Sequence, residues 1–92
     1  MNDMAADDWA GTTKLFRLRI SAEPDPGVVA RLLGHFQNLN VIPHRIVAEF
    51  ATTGIMHVYI DLSDLSEGRI SMIVAKMGQC VPVLNAYWHW LS

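Results

Sequence analysis

The chain has 92 residues and a formal net charge of −2, and 51% of its residues are hydrophobic whereas only 17% are charged. This composition predicts one packed domain rather than a disordered chain. The charge balance gives no basic surface for nucleic acid or an anionic membrane. The apolar content is generous for so small a domain, so we expect some of it to be buried against a partner chain.

Residues 1–13 have no periodicity, and we expect them to form a flexible tail before a domain that spans 14–92. Trp9 in this tail either has no role or docks onto the domain or a partner. No apolar run approaches transmembrane length, and no basic segment is followed by an apolar one near the start. These features favour a soluble, cytoplasmic protein that does not enter a membrane.

Four segments alternate apolar and polar residues as half-buried strands do, at 14–22, 41–51, 55–62 and 81–91. Two further segments repeat apolar residues at i, i+3, i+4 and i+7, as amphipathic helices do. The first stripe is Val29, Leu32, Leu33 and Phe36, and the second is Ile70, Ile73, Val74 and Met77. The order βαββαβ predicts an α+β, ferredoxin-like fold, with a four-stranded antiparallel sheet and two helices on one face.

The last strand is expected to turn alternate residues toward the helices, namely Leu84, Ala86, Trp88 and Trp90. The opposite face of the sheet would then be partly basic and partly aromatic, with Arg17, Arg19, Arg45, Val47, His57, Tyr59, Val83 and Tyr87. On that face His57 and His89 are expected to meet in a polar cluster, with an acid–base or metal site as the alternative.

The histidines lack the spacing of metal ligands, and Cys80 is the only cysteine, which argues against a disulfide within the chain or a CxxC site. We interpret Cys80 as a small buried hydrophobic residue rather than a nucleophile. No cofactor is expected.

The loop that leads into the first helix has the features of an anion site. Asp25 can cap the amides that follow it, and Pro26 suits a first helical position. Gly27 and Val28 would then present bare N–H groups at the positive end of the helix dipole, where a carboxylate can bind. An ordinary turn from strand to helix is the alternative interpretation.

The stretch from Pro26 to Phe36, PGVVARLLGHF, resembles the first-helix motif of ACT domains, small modules that bind amino acids and regulate metabolic enzymes. The pattern is most similar to that of the small regulatory subunits of acetolactate synthase. The resemblance implies a non-enzymatic homodimer, or a subunit of a larger catalytic enzyme of amino-acid biosynthesis. It also implies a small amino-acid effector at the subunit interface, with its carboxylate on the amides of Gly27 and Val28.

In this arrangement the partner subunit's Ile42 and Pro43 would close the pocket, while Asp25 caps the helix. The sequence departs from the ACT pattern at two positions. Members of the family often carry Asn at both, whereas this sequence has Pro24 and Ile42. Both changes remove polar partners that a zwitterion needs. Two other hypotheses therefore stand: an interaction or assembly subunit with a non-functional effector site, and a small enzyme that uses His57, His89 or Tyr87.

Overall fold

The computed structural model describes residues 14–91, so the expected tail and Trp9 lie outside the described residues. The elements in chain order are β1 (Leu15–Ala22), α1 (Val28–Leu39), β2 (Arg45–Phe50), β3 (Met56–Ser63), α2 (Glu67–Gly78) and β4 (Val83–Trp90). The strands form one sheet in the order β2-β3-β1-β4, and all neighbours are antiparallel. The predicted ferredoxin-like fold is confirmed. Within 14–91, neither helix is long and apolar enough to span a membrane.

The core lies between the two helices and one face of the sheet. Alternation along the two central strands sends every second side chain into it, and these side chains are almost fully buried. The strands contribute Phe16, Leu18, Ile20, Ala22, Val58, Ile60 and Leu62, and the helices contribute Val28, Leu32, Phe36, Ile70, Ile73 and Met77. Each of these side chains except that of Ala22 contributes about 1.5–3 kcal/mol when fully buried, so this layer holds both helices against the sheet.

A bulge in β4 changes which residues face the helices. Ser21 pairs with Asn85 but Ala22 pairs with Val83, so Leu84 is an additional residue in the ladder. Because a bulge reverses the alternation beyond it, Val83 packs against the core and Leu84 is 57% exposed. The expected orientations of these two residues are wrong. Those of Ala86 and Trp88 are confirmed, since both pack against the core.

The edge strand β2 begins at Arg45, four residues later than the strand predicted at 41–51. Asn40, with φ 57°, ends α1 in the left-handed conformation, and the amide of Val41 donates to the carbonyl of Phe36 at 3.0 Å. Ile42 and Pro43 therefore lie in the connection rather than in the strand. Pro43 has no N–H to give to a ladder, which agrees with its place beside a sheet edge.

The face of the sheet opposite the helices carries three rows of side chains, each with one residue from every strand. In the order of the sheet they are Arg45–Asp61–Arg17–His89, Val47–Tyr59–Arg19–Tyr87 and Glu49–His57–Ser21–Asn85. The Arg17 guanidinium donates to both oxygens of Asp61, at 2.7 and 3.0 Å. This bidentate pair raises the pKa of Arg17 and is the main charged link between the two central strands.

His57 and His89 do not meet on this face, so the expected histidine cluster is wrong. Arg19 stands between them, because its Nε donates to His89 Nε2 at 2.8 Å and its guanidinium lies 5.0 Å from the Tyr59 ring centre. His57 instead stacks on Tyr59 and lies 3.4 Å from Ser21 Oγ. The two imidazoles are thus engaged by different residues, His89 by Arg19 and His57 by Tyr59 and Ser21, and no acid–base pair forms between them.

Candidate functional site

A tight turn joins β1 to α1 and sets the geometry of the candidate site. The amide of Val28 donates to the carbonyl of Asp25 at 3.1 Å, with Pro26 and Gly27 between them. Gly27 has φ −89° and ψ −5°, the values of the third residue of a type I turn, and Pro is favoured at the second. Because α1 begins at Val28, Pro26 lies before the helix, and its expected first helical position is wrong.

The side chain of Asp25 folds over this turn. Its Oδ1 accepts the N–H of Gly27 at 2.7 Å, and its Oδ2 accepts Nη2 of Arg31 at 3.1 Å. The same Nη2 donates to the carbonyl of Val81 at 3.1 Å, which ties the turn to the segment before β4. The Gly27 amide first, and Arg31 second, lower the pKa of Asp25. The turn therefore holds an ionised carboxylate at neutral pH.

The absence of a side chain at Gly27 allows the Arg31 guanidinium to approach the backbone. A Cβ on Gly27 would lie 2.9 Å from Arg31 Nη1 and 3.4 Å from Asp25 Oδ1. Arg31 is four residues after Gly27, so its side chain reaches back over the turn N-terminal to its own position. The four-residue spacing between Gly27 and Arg31 could have identified Arg31 from the sequence, but Arg31 was not among the predicted site residues.

The expectation that the amides of Gly27 and Val28 are bare is wrong for both residues. Asp25 accepts both N–H groups, one through its carboxylate and the other through its own carbonyl. Within residues 14–91 the next two amides, those of Val29 and Ala30, have no acceptor, and α1 has no side-chain cap. The helix start thus binds an anion, and that anion is the chain's own Asp25.

Ile42 and Pro43 do not approach this turn within one chain. They follow the far end of α1, whose 12 residues span about 18 Å. Ile42 is 87% exposed and contributes nothing to the core. Their predicted role in a pocket with Gly27 and Val28 therefore requires a second copy of the chain.

A small cavity of about 60 Å³ lies between α1 and α2, away from the turn and from the open face of the sheet. It is lined by His35, Asn38, Leu39, Ile73 and Lys76. His35 also contacts the thiol of Cys80, with Nε2 3.1 Å from Sγ. Cys80 packs beside the core as expected, but it is only partly buried. Among residues 14–91, no three His, Cys, Asp or Glu side chains are grouped to hold a metal ion.

A family model for the ACT-like domain matches residues 10–92 of the sequence. The chain belongs to the ACT-like domain family. ACT domains are generally small regulatory modules that bind amino acids, and they occur in metabolic enzymes. No individual curated protein matches the sequence closely.

Solved structures share the fold of this ACT-like domain at low sequence identity. The ACT domain of a GTP pyrophosphokinase from Chlorobium tepidum is 18% identical with a TM-score of 0.70, covering 85% of this chain and 100% of that one. An ACT domain protein from Streptococcus pneumoniae is 12% identical with a TM-score of 0.66, covering 84% and 89%. A homoserine dehydrogenase from Thiobacillus denitrificans is 17% identical with a TM-score of 0.67, covering 88% of this chain and 18% of the enzyme.

Proposed function

We propose that this ACT-like domain is a non-catalytic regulatory module that senses a small amino acid at the start of α1. The observation that carries the proposal is the binding of the Asp25 carboxylate by the Gly27 amide and the Arg31 guanidinium. These donors suit any carboxylate, and the free amides of Val29 and Ala30 add to the positive end of the helix. The effector's carboxylate would replace that of Asp25.

The proposed site is completed by a second copy of the chain, which supplies Ile42 and Pro43. The edge strand β2 leaves apolar side chains uncovered on its helix-facing side, with Phe50 65% exposed and Ile46 also exposed. An unpaired strand edge beside exposed apolar surface favours association with another chain. A homodimer would place that edge, and the adjoining Ile42, against a neighbouring subunit. The same surface would also serve a larger catalytic subunit.

Competition between Asp25 and the effector gives this proposal a sharp test. In Asp25→Ala the Gly27 amide and Arg31 lose their internal anion, so the apparent affinity for the effector should rise several-fold. At ten times Kd a ligand stabilises the folded state by about 1.4 kcal/mol, which raises the Tm of a domain this size by roughly 5–10 °C. We expect one or a few of the twenty amino acids to raise the Tm, and to do so at lower concentration with Asp25→Ala.

Asp64→Ala is the matched control, because it removes an exposed carboxylate near the other helix and should leave the ligand response unchanged. If no amino acid at millimolar concentration stabilises either the wild type or Asp25→Ala, the effector proposal is wrong. If an amino acid stabilises the wild type more than it stabilises Asp25→Ala, the proposed competition between the two carboxylates is wrong.

A second candidate is an interaction or assembly subunit with a non-functional effector site. It is favoured by the internal bonds that already occupy the amides of Gly27 and Val28. Pro24 and Ile42 support it further, since neither supplies a polar group for a zwitterion. This candidate predicts that a tagged chain recovers a catalytic enzyme subunit from its own cells, and that no free amino acid changes the recovery.

A further inference from the structure

The open face of the sheet, on the side away from both helices, is basic at one end. Its first row holds Arg45 and Arg17 on either side of Asp61, and the second row holds Arg19. Both oxygens of Asp61 are taken by Arg17. Arg45 is exposed, and its side chain makes no hydrogen bond or ion pair within residues 14–91. This end of the face therefore offers a guanidinium to a carboxylate from another segment.

Beside this basic row the open face is apolar and aromatic. The second row contains Val47, Tyr59 and Tyr87, and Tyr87 is 49% exposed. Val47 and Tyr59 are half-buried, so both still present surface that a further side chain could cover. A segment that carries carboxylates next to an aromatic ring is complementary to this pair of rows, since the carboxylates suit the guanidinium and the ring suits the second row.

The chain carries such a segment before its first strand. Residues 1–13 contain three carboxylates, Asp3, Asp7 and Asp8, and no Lys or Arg, and Trp9 follows Asp8 directly. The rest of the chain contains all seven Lys and Arg residues and six acidic ones, so the two parts have opposite net charges. Opposite charges that are tethered close together attract over a distance of about 8–10 Å at ordinary salt concentrations.

The connection between the two parts is long enough for this contact. Lys14 immediately precedes β1, and Arg45 lies two strands away in the row three residues further along. With about 3.3 Å per residue along a strand and about 4.8 Å between strands, Arg45 is roughly 14 Å from Lys14. Asp8 is six residues before Lys14, and an extended chain of that length spans up to about 20 Å. Gly11 lies between them and suits the reversal of direction that the contact needs.

We propose that residues 7–9 dock onto the open face of the same chain. The two carboxylates bind Arg45, and the ring of Trp9 packs against Val47 and Tyr59. The chain's own acidic segment thereby covers the surface of the sheet that the helices leave open, and it does so whether or not an effector binds at the start of α1. The two sites lie on different parts of the fold, so either can fail without the other.

The first test uses the full chain and follows the indole N–H resonance of Trp9 by NMR, identified by its loss in Trp9→Phe. Arg45→Gln should move this resonance toward the position that it has in urea, because the segment is released. Arg69→Gln is the matched control, since it removes an exposed guanidinium from α2, on the other side of the sheet. An unmoved Trp9 resonance in Arg45→Gln, or an equal shift in both variants, would overturn the contact.

The reciprocal test observes the sheet. Neutralising the segment with Asp7→Asn and Asp8→Asn together should shift the backbone amides of β2 and β3 and leave those of α2 unmoved. Glu23→Gln, which removes an exposed carboxylate beyond the far end of β1, is the control and should leave β2 unmoved. In the wild type, 1 M NaCl should produce the same shifts, because it shortens the screening length to about 3 Å. Amides of β2 that respond to neither change would overturn the role of charge.

Dilution shows which chain supplies the segment. For docking within one chain, the Trp9 resonance keeps its position over a roughly fiftyfold range of protein concentration, because the effective concentration of a tethered segment is fixed by its linker. A position that moves with concentration would overturn the proposal, since a second copy would then supply the segment. Nuclear Overhauser contacts between the rings of Trp9 and Tyr59 are expected, and contacts of Trp9 with the helices instead would contradict it.

Discussion

The two helices of this domain begin in different ways. At the start of α2, Ser66 has an extended backbone and its Oγ accepts the amide of Arg69 at 3.2 Å, with Glu67 in the first turn. At the start of α1, Gly27 takes the capping position without a side chain, and the first turn has no acidic residue. The start of α2 is thus capped by the Ser66 side chain, and Glu67 lies at the positive end of its helix dipole.

The contrast distinguishes a helix start that is capped by its own residues from the start at which we propose that a ligand binds. At α1 the anion comes from Asp25, which lies outside the helix and pairs with Arg31, both partly exposed. In the proposed function a carboxylate from solution replaces the one that is held in this way, whereas the Ser66 side chain is the N-cap of α2. The difference predicts that changes at the start of α2 alter stability alone, and that changes at the start of α1 also alter binding.

The largest expected effect on stability is at Ser66. Ser66→Ala removes the acceptor of the Arg69 amide and should lower the free energy of unfolding by about 1 kcal/mol, which lowers the Tm by roughly 4–8 °C. Urea denaturation with a constant m-value measures the change. Ser71→Ala, at an exposed position within the same helix, should be neutral or slightly stabilising. A loss as large at Ser71 as at Ser66 would contradict the capping role.

The next effect is a pH dependence that belongs to Asp25. Because the folded state lowers the pKa of this carboxyl, its stabilisation is complete above the unfolded pKa of about 3.9 and is lost as the pH falls through the lower folded value. The gap in unfolding free energy between wild type and Asp25→Asn should therefore shrink as the pH is lowered from 7 to 2. Asp64→Asn measures the effect of removing a carboxylate beside α2. A gap for Asp25→Asn that stays constant with pH would show that the charge is not involved.

The smallest effect on stability is expected at Gly27. Its φ of −89° suits any residue, so Gly27→Ala strains no backbone, and its Cβ meets the end of the flexible Arg31 side chain and Asp25 Oδ1. We expect a change within about 0.5 kcal/mol, together with weaker effector binding because Arg31 is displaced. Gly68→Ala in α2, with open space around its Cβ, should instead stabilise by about 0.5–1 kcal/mol. A large loss of stability in Gly27→Ala would contradict this account of the turn.

The sequence was sufficient for the fold because its core pattern is regular. The alternation in β1 and the stripe of Ile70, Ile73 and Met77 predicted which side chains are buried, and burial decides the architecture. The details that were missed depend on single residues. The bulge at Leu84, for example, has no signature in an alternating run.

The sequence predicted the turn that leads into α1 but not the contacts that its side chains make. Asp25 and Gly27 were identified from turn chemistry, yet the direction of the Asp25 carboxylate depends on Arg31 and on Val81, fifty residues further along the chain. The pairing of His35 with Cys80 is likewise a contact between elements 45 residues apart, which no local pattern contains. Long-range side-chain contacts of this kind follow only from the packed structure.

The central claim is that the start of α1 holds a carboxylate from solution in place of Asp25. The most direct measurement is an NMR titration of backbone amides with the amino acid that raises the Tm most, in the wild type and in Asp25→Ala. The account predicts saturable shifts at Gly27, Val28, Val29 and Ala30, at lower ligand concentration in Asp25→Ala, with the amides of Glu67, Gly68 and Arg69 unmoved. Equal shifts at both helix starts, or none at α1, would contradict it.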